Sequence, residues 1–390
     1  MAKDNEGQSV RDYGERKRRV RKRRNLVIGI AITALLVGGS IYLYSLYNKN
    51  YNSYEVLKTM ENAEENGAQY LKYDGGVLKY SRDGATAIDK EGNLLWNGSY
   101  EMKKPIADVC AEYAVVADQG GTSIQIFDGE GVAGRISTVH DIIKVEISKK
   151  GAVAALQETE GENTIIIYDV DGTILVEMAT NVIENGYPID ITISEDGEKL
   201  VTSYLSVTTG ELTGIATFYN FGEVGQNWTE RMVGAVNFSG LVVPRVVFNN
   251  NDTASIFKEN GFMIFEFSEM PKMIKEINFD NNIESVLYDA EYIGAVLEAG
   301  ESGYRQLVVY NLKGEKVLDK KLDFDYSEIY LLGSEIIMYD NLSCIVMKIN
   351  GTVKFIYTFD SNIEALYPVN DLDRYYYISD KEIAQISLVE

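Results

Sequence analysis

One short element recurs through most of the chain and limits what it can fold into. An apolar or aromatic run ends in Asp or Asn, a Gly turn follows, and a more exposed run begins. It reads Ala87-Ile88-Asp89-Lys90-Glu91-Gly92, then Ile126-Phe127-Asp128-Gly129-Glu130-Gly131. It returns as Ile167-Tyr168-Asp169-Val170-Asp171-Gly172 and as Val309-Tyr310-Asn311-Leu312-Lys313-Gly314, with a variant at Met347-Lys348-Ile349-Asn350-Gly351. Degenerate copies stand at Phe218-Tyr219-Asn220 and Ile264-Phe265-Glu266-Phe267. Runs of five to eight residues rich in Ile, Val, Tyr and Phe between turn residues are strands, and a Gly after Asp or Asn closes a hairpin. The chain has only five prolines, as ladders that use every N–H require.

The interval between copies is about 37 to 50 residues, the length of one propeller blade. Innermost runs are expected to begin near Gln69, Ile106, Ile142, Ile189, Arg245, Ile283, Glu328 and Glu364. Third runs begin near Ala85, Thr122, Thr164, Gly214, Gly261, Arg305, Ser343 and Glu382. Seven fourth runs follow, near Asn93, Gly131, Ile174, Gln226, Lys272, Lys316 and Thr352. The eighth is missing after Glu382 and is supplied by the segment 53–60, which closes the ring. The expected fold is all-β, an eight-bladed β-propeller over residues 53–390, with seven blades as the alternative. The period is least regular between Val201 and Phe279.

The repeat is preceded by a segment of different character. Residues 1–47 hold ten Lys/Arg against four Asp/Glu, although the whole chain has a net charge of −22. Eight basic residues crowd into 16–24, and residues 26–47 carry no charge. As a helix that stretch rises about 33 Å, enough to cross a bilayer core. Tyr42, Tyr44 and Tyr47 stand at its far end, where an aromatic belt belongs, and the basic side stays in the cytoplasm. The expectation is a disordered basic cytoplasmic tail (1–25), one transmembrane helix (26–47), a polar stalk (48–52) and an acidic extracellular domain (53–390). A cleaved leader is the competing reading, since Gly38 and Ser40 make a small-x-small pair. The apolar run continues past them, as an anchor does. The basic cluster reads as a topology signal beside anionic lipid, not as a nucleic-acid site. Ala34 and Gly38 are read as ordinary span residues rather than a helix-pairing motif.

Candidate chemistry is sparse. Asp169, Asp171 and Gly172 with Glu177 downstream look like part of a calcium loop, but lack its third acidic position and closing spacing. They also sit where the other units have a turn. His140, the one histidine, neighbours Asp141, but adjacent strand residues point to opposite faces. Cys110 and Cys344 fall in different blades and read as buried free thiols. Gly75-Gly76 and Gly120-Gly121 are tight turns rather than phosphate cradles. The six Asn-x-Ser/Thr sites matter only where a secretory pathway glycosylates them. Tyr375-Tyr376-Tyr377 is the candidate for an exposed aromatic binding cluster, although most of the 27 tyrosines suit strand packing. No catalytic, metal or cofactor residue is assigned, and no cofactor is expected.

The stretch from Ala87 to Trp96, Ala87-Ile88-Asp89-Lys90-Glu91-Gly92-Asn93-Leu94-Leu95-Trp96, resembles the quinoprotein-like propeller repeat, which has an Ala-x-Asp turn, a Gly and a Trp that docks on the next blade. Leu78-Lys79-Tyr80-Ser81-Arg82-Asp83-Gly84 with Pro105-Ile106-Ala107-Asp108-Val109-Cys110 resembles a bacterial family with a basic tail, one span and an extracytoplasmic, WD40-like propeller domain. That resemblance implies the architecture and a Gram-positive-type envelope location, and no activity. The functional expectation is a non-catalytic scaffold for an envelope protein or wall-associated ligand. A receptor for a small envelope ligand is the alternative, and a propeller hydrolase or quinoprotein-like oxidoreductase the third reading.

Overall fold

The computed structural model describes residues 25–26, 28–39 and 49–390, apart from 63–66, 159–161, 182–185, 209, 301–302 and 371. The expected tail therefore lies outside the described residues, except for Asn25. Of the expected span, residues 26 and 28–39 are helical and exposed, while 27 and 40–47 lie outside, as does 48 of the stalk. No helix among the described residues is long and apolar enough to cross a membrane.

Residues 51–390 form one compact unit of thirty-two strands in eight four-stranded antiparallel sheets. Blade 1 is β2–β5 (Gln69–Tyr73, Gly76–Tyr80, Gly84–Ile88, Leu94–Ser99), and blade 2 is β6–β9 (Pro105–Cys110, Tyr113–Asp118, Ser123–Asp128, Gly131–Ser137). Blade 3 is β10–β13 (Asp141–Ile147, Val153–Glu158, Glu162–Tyr168, Ile174–Asn181), and blade 4 is β14–β17 (Tyr187–Ile193, Lys199–Thr208, Glu211–Asn220, Met232–Ser239). Blade 5 is β18–β21 (Arg245–Asn250, Thr253–Lys258, Gly261–Glu266, Lys272–Asn278), and blade 6 is β22–β25 (Ile283–Tyr288, Tyr292–Leu297, Arg305–Asn311, Lys316–Leu322). Blade 7 is β26–β29 (Glu328–Leu332, Glu335–Tyr339, Ser343–Lys348, Val353–Thr358). Blade 8 is β30–β32 (Ile363–Pro368, Arg374–Ser379, Glu382–Val389) completed by β1 (Ser53–Glu61), paired antiparallel with β32 from Ser53–Val389 to Glu61–Glu382.

The ring therefore has eight blades, closed by the segment that the sequence nominated. First strands lie against one another around the centre: β2 with β6, β6 with β10, β10 with β14, β14 with β18, β22 with β26, and β30 with β2. Each sheet buries both faces against its neighbours, so second and third strands are buried in long runs rather than at alternate residues, polar side chains such as Lys79 and Glu335 included. In β3 and β27 every residue is buried. All eight outer pairs carry a register shift, as at Ala87/Ile88 and Ile167/Tyr168. An extra residue there bends the outer strand and adds twist.

The turn reading of the acidic loop holds. Asp169 accepts the Gly172 N–H at 2.9 Å through its carbonyl, and Gly172 has φ 85°, a conformation that favours glycine. Among the described residues no group of three His, Cys, Asp or Glu side chains is placed to hold a metal ion. One boundary is corrected. The fourth strand of blade 4 begins at Met232, not near Gln226, because Gly225–Asn227 forms a 3-10 turn and the chain turns again at Glu230 and Arg231, both with positive φ.

Candidate functional site

Antiparallel pairing sorts the loops onto two faces. Links between second and third strands lie on one face with links from a fourth strand to the next blade. The other links, including the Asp/Asn-Gly turns, lie opposite. The chain enters β1 on the Gly-turn face, where the Tyr51 N–H donates to the Lys354 carbonyl at 2.8 Å and Asn52 to Val389 at 3.1 Å.

Charged residues on the first strands meet at the centre. The Lys144 ammonium bonds Asp190 of the next blade, the Ile191 carbonyl at 3.0 Å and Glu146 at 2.9 Å. Asp190 also accepts the Val246 N–H of blade 5 at 2.9 Å, with the Arg245 Nε at 4.0 Å. Asp108 of blade 2 accepts the Ile147 N–H of blade 3 at 2.8 Å. Each carboxylate thus caps a donor that the next blade's inner edge leaves unpaired. Burial, with Glu146 nearby, pushes the Asp108 carboxyl up to about 8. Burial also raises Glu146, against the pull of Lys144. Burial alone would lower Lys144, but Glu146 and Asp190 hold it above the usual lysine range.

On the other side of the ring, tyrosine hydroxyls make the corresponding stitches. Tyr330 donates to the Leu366 carbonyl, Tyr367 to Tyr70 at 2.9 Å and Tyr73 to Glu112 at 2.5 Å. Between blades 7 and 8, Lys354 bonds Glu335 and, at 2.7 Å, the Tyr375 hydroxyl, which donates to Glu335 at 2.5 Å. All three side chains are buried.

The three consecutive tyrosines are corrected here: none is exposed. Tyr375 faces Glu335 of blade 7, Tyr376 donates to the Asp89 carbonyl of blade 1, and Tyr377 donates to Ser361 at 2.8 Å. Successive rings do point opposite ways, but a propeller sheet has a neighbour on both sides. His140 and Asp141 are exposed at the blade 2–3 junction. Cys344 is buried and Cys110 half-buried, both free, with burial pushing each thiol up to about 12. Trp96 stacks on Phe127 of blade 2 at 4.5 Å and 2°, as the resembled repeat implies.

Two clefts adjoin on the face opposite the Gly turns. One, about 640 Å³, lies between blades 5 and 6 and includes Pro244, Arg245, Lys258, Glu259, Glu284 and Val286. The other, about 420 Å³, includes Glu284, Glu298, Tyr304, Arg305, Asp323 and Asp325. Glu284 belongs to both, and Arg305 joins it at 3.1 Å to Asp325 at 2.5 Å. The sequence offered no local sign of these clefts, because their residues come from separated loops.

Residues 47–388 match the model of a family of unknown function, DUF5711. The chain belongs to that family. No curated protein sequence matches it. In three dimensions this DUF5711 chain is similar to BamB from Moraxella catarrhalis, with TM-score 0.52, 13% identity, and 86% of this chain and all of that one covered. It is also similar to Saccharomyces cerevisiae Sqt1, with TM-score 0.53, 13% identity, and 88% and 100% coverage. At these identities the likeness is one of fold, a β-propeller.

Proposed function

We propose that this DUF5711 protein is a non-catalytic interaction platform held at the cell membrane. Its cleft face receives a protein partner or wall-associated ligand of the envelope. The two adjoining clefts around Glu284 carry this reading. They form an extended concave surface with Glu259, Glu298, Asp323 and Asp325 around two arginines and a lysine, so a partner with basic side chains fits it. The central ionisable groups are consumed in blade-to-blade bonds, which suits a rigid support better than a reaction centre. The uncharged stretch 26–47 behind a basic tail supports a single span with the N-terminus in the cytoplasm and the propeller outside.

A photo-crosslinking residue at Ser285, on the cleft face, tests the platform in intact cells against one at Glu91 in a Gly turn. A discrete adduct is expected from position 285, lost in a Glu284→Arg, Asp325→Arg double variant. Equal labelling at both positions, or no adduct at 285, overturns the reading. Location is tested separately. Added protease should remove the propeller from intact cells while the first 47 residues stay with the membrane; protection of the propeller would overturn the topology.

A further inference from the structure

Blade 4 departs from the other blades at the link between β16 and β17. Blades 1, 2, 3, 6 and 7 have a short Gly turn there and blade 5 the five-residue link 267–271, but here residues 221–231 intervene, with a 3-10 turn at Gly225–Asn227. The link ends on Glu230 (φ 54°) and Arg231 (φ 57°). They are adjacent non-glycine residues in the left-handed region, a conformation that costs energy and is retained where surroundings or function demand it. Both line a cavity of about 290 Å³ between this link and the outer strand of blade 3. Its other walls are Val176, Glu177, Met178, Ala179 and Thr180 of β13, with Tyr219 of β16.

The lining is specific. Val176 and Met178 are half-buried and give an apolar wall. The Tyr219 hydroxyl sits 3.2 Å from that of Tyr204, and burial keeps both protonated, with Glu230 adding to the effect. One Arg231 nitrogen donates to the Phe221 carbonyl at 3.0 Å, which fixes the guanidinium and leaves further donors for a ligand. Glu230 and Arg231 form no ion pair with each other or with another described residue. Along β12, Asn163 is 1% exposed and its side-chain oxygen lacks a hydrogen-bond partner. It pairs in register with Thr180 and lies on the same side of the sheet as Ile165, which packs toward blade 4.

We propose that this cavity binds a small zwitterion of the amino-acid class. Arg231 takes the carboxylate in its planar fork, and Glu230 takes the ammonium. Val176 and Met178 receive an apolar side chain, and the Tyr219 hydroxyl orients the polar end. A purely anionic ligand would leave Glu230 opposed, and a purely cationic one would leave Arg231 opposed. The volume lies at the small end of ligand pockets, which suits a single amino acid rather than a peptide. The site is on the Gly-turn side of blade 4, so it stands or falls independently of the cleft face.

The test is calorimetric titration of the full-length chain in detergent with L-leucine and L-methionine, alongside N-acetyl-leucine and leucinamide, each of which lacks one charge. Both amino acids should bind and raise the melting temperature, and both blocked forms should bind at least about tenfold more weakly, which is about 1.4 kcal/mol. Arg231→Gln should weaken leucine at least tenfold while hardly changing leucinamide, and Glu230→Gln should do the same with N-acetyl-leucine as the insensitive ligand. Glu230→Gly removes the backbone strain, so it should melt no lower than the parent yet bind leucine poorly. The proposal is overturned if the folded parent binds neither amino acid at millimolar concentration. It is equally overturned if the blocked forms bind as well, or if Glu230→Gly binds normally.

Discussion

Asp108 shows how position in the ring changes an ordinary side chain. Its carboxyl is pushed up to about 8 by burial and by Glu146, whereas an unfolded chain would hold it near 4. The folded state therefore binds this proton more tightly. Its contribution to stability is complete below about pH 4 and is lost as the pH rises to about 8. Asp108→Asn keeps an oxygen for the Ile147 N–H and removes the titration. Urea midpoints measured from pH 4 to 9 should fall less steeply for the variant, which should become the more stable protein above pH 8. Parallel profiles would show that the carboxyl titrates normally. The Lys354–Glu335–Tyr375 triad makes a different prediction, because its charges are paired. Lys354→Met strands a buried carboxylate and should cost about 3–5 kcal/mol. The double variant Lys354→Met, Glu335→Gln removes both charges and should recover most of that loss in the same denaturation assay. A double variant no more stable than the single one would mean that packing, not charge, sets the cost.

At the scale of the blade, docking on the next sheet matters as much as pairing within one. Trp96 leaves the outer strand of blade 1 and lies flat on Phe127, while Gly98, on the same face, leaves room for that ring: a Cβ there would stand 2.4 Å from it. Trp96→Ala should cost about 3–5 kcal/mol in chemical denaturation, and Gly98→Ala should also destabilise. A loss below about 1 kcal/mol from Trp96→Ala would mean that the blades hold together without this contact. These elements were readable in the sequence because they are local. Asp89 and Gly92, or Asp169 and Gly172, specify their hairpins within five residues, and five such turns mark the period of the ring. What could not be read joins residues far apart in the chain. Asp190 meets Lys144 and Val246, 46 and 56 positions away, and nothing beside it marks the partners. The link 221–231 misled the strand assignment because its apolar residues continue the pattern while its backbone turns twice, once in 3-10 form at Gly225–Asn227 and once through the left-handed pair Glu230 and Arg231. Tyr375, Tyr376 and Tyr377 misled for a third reason: alternation identifies two faces, but whether both are covered depends on the next blade.

For the whole ring, the decisive join is the one between its ends. β1 pairs along its length with β32, and the Tyr51 N–H reaches blade 7 as well. Blade 8 cannot be completed until the first strand returns to the last, so closure spans more than 300 residues of chain. The contacts that close it, Tyr367 to Tyr70, Tyr376 to Asp89 and Gln385 to Lys90, are as nonlocal as the pairing. A circular permutant separates this latch from the contacts themselves. Joining residue 390 to Ser53 by a short turn and opening the chain between β21 and β22 keeps every strand pair. The new ends then fall between two complete blades, so only side-chain packing and bonds such as Asn249 to the Asp289 carbonyl at 2.8 Å hold that gap shut. In the native order, prising the ring open requires stripping β1 from β32; in the permutant, blades 5 and 6 need only part. The permutant should therefore fold to the same spectrum but unfold at least about tenfold faster, a barrier lower by about 1.4 kcal/mol, in a urea-jump experiment. Equal unfolding rates would mean that the ring opens somewhere other than the shared blade, and that strand exchange between the two ends is not what keeps it closed.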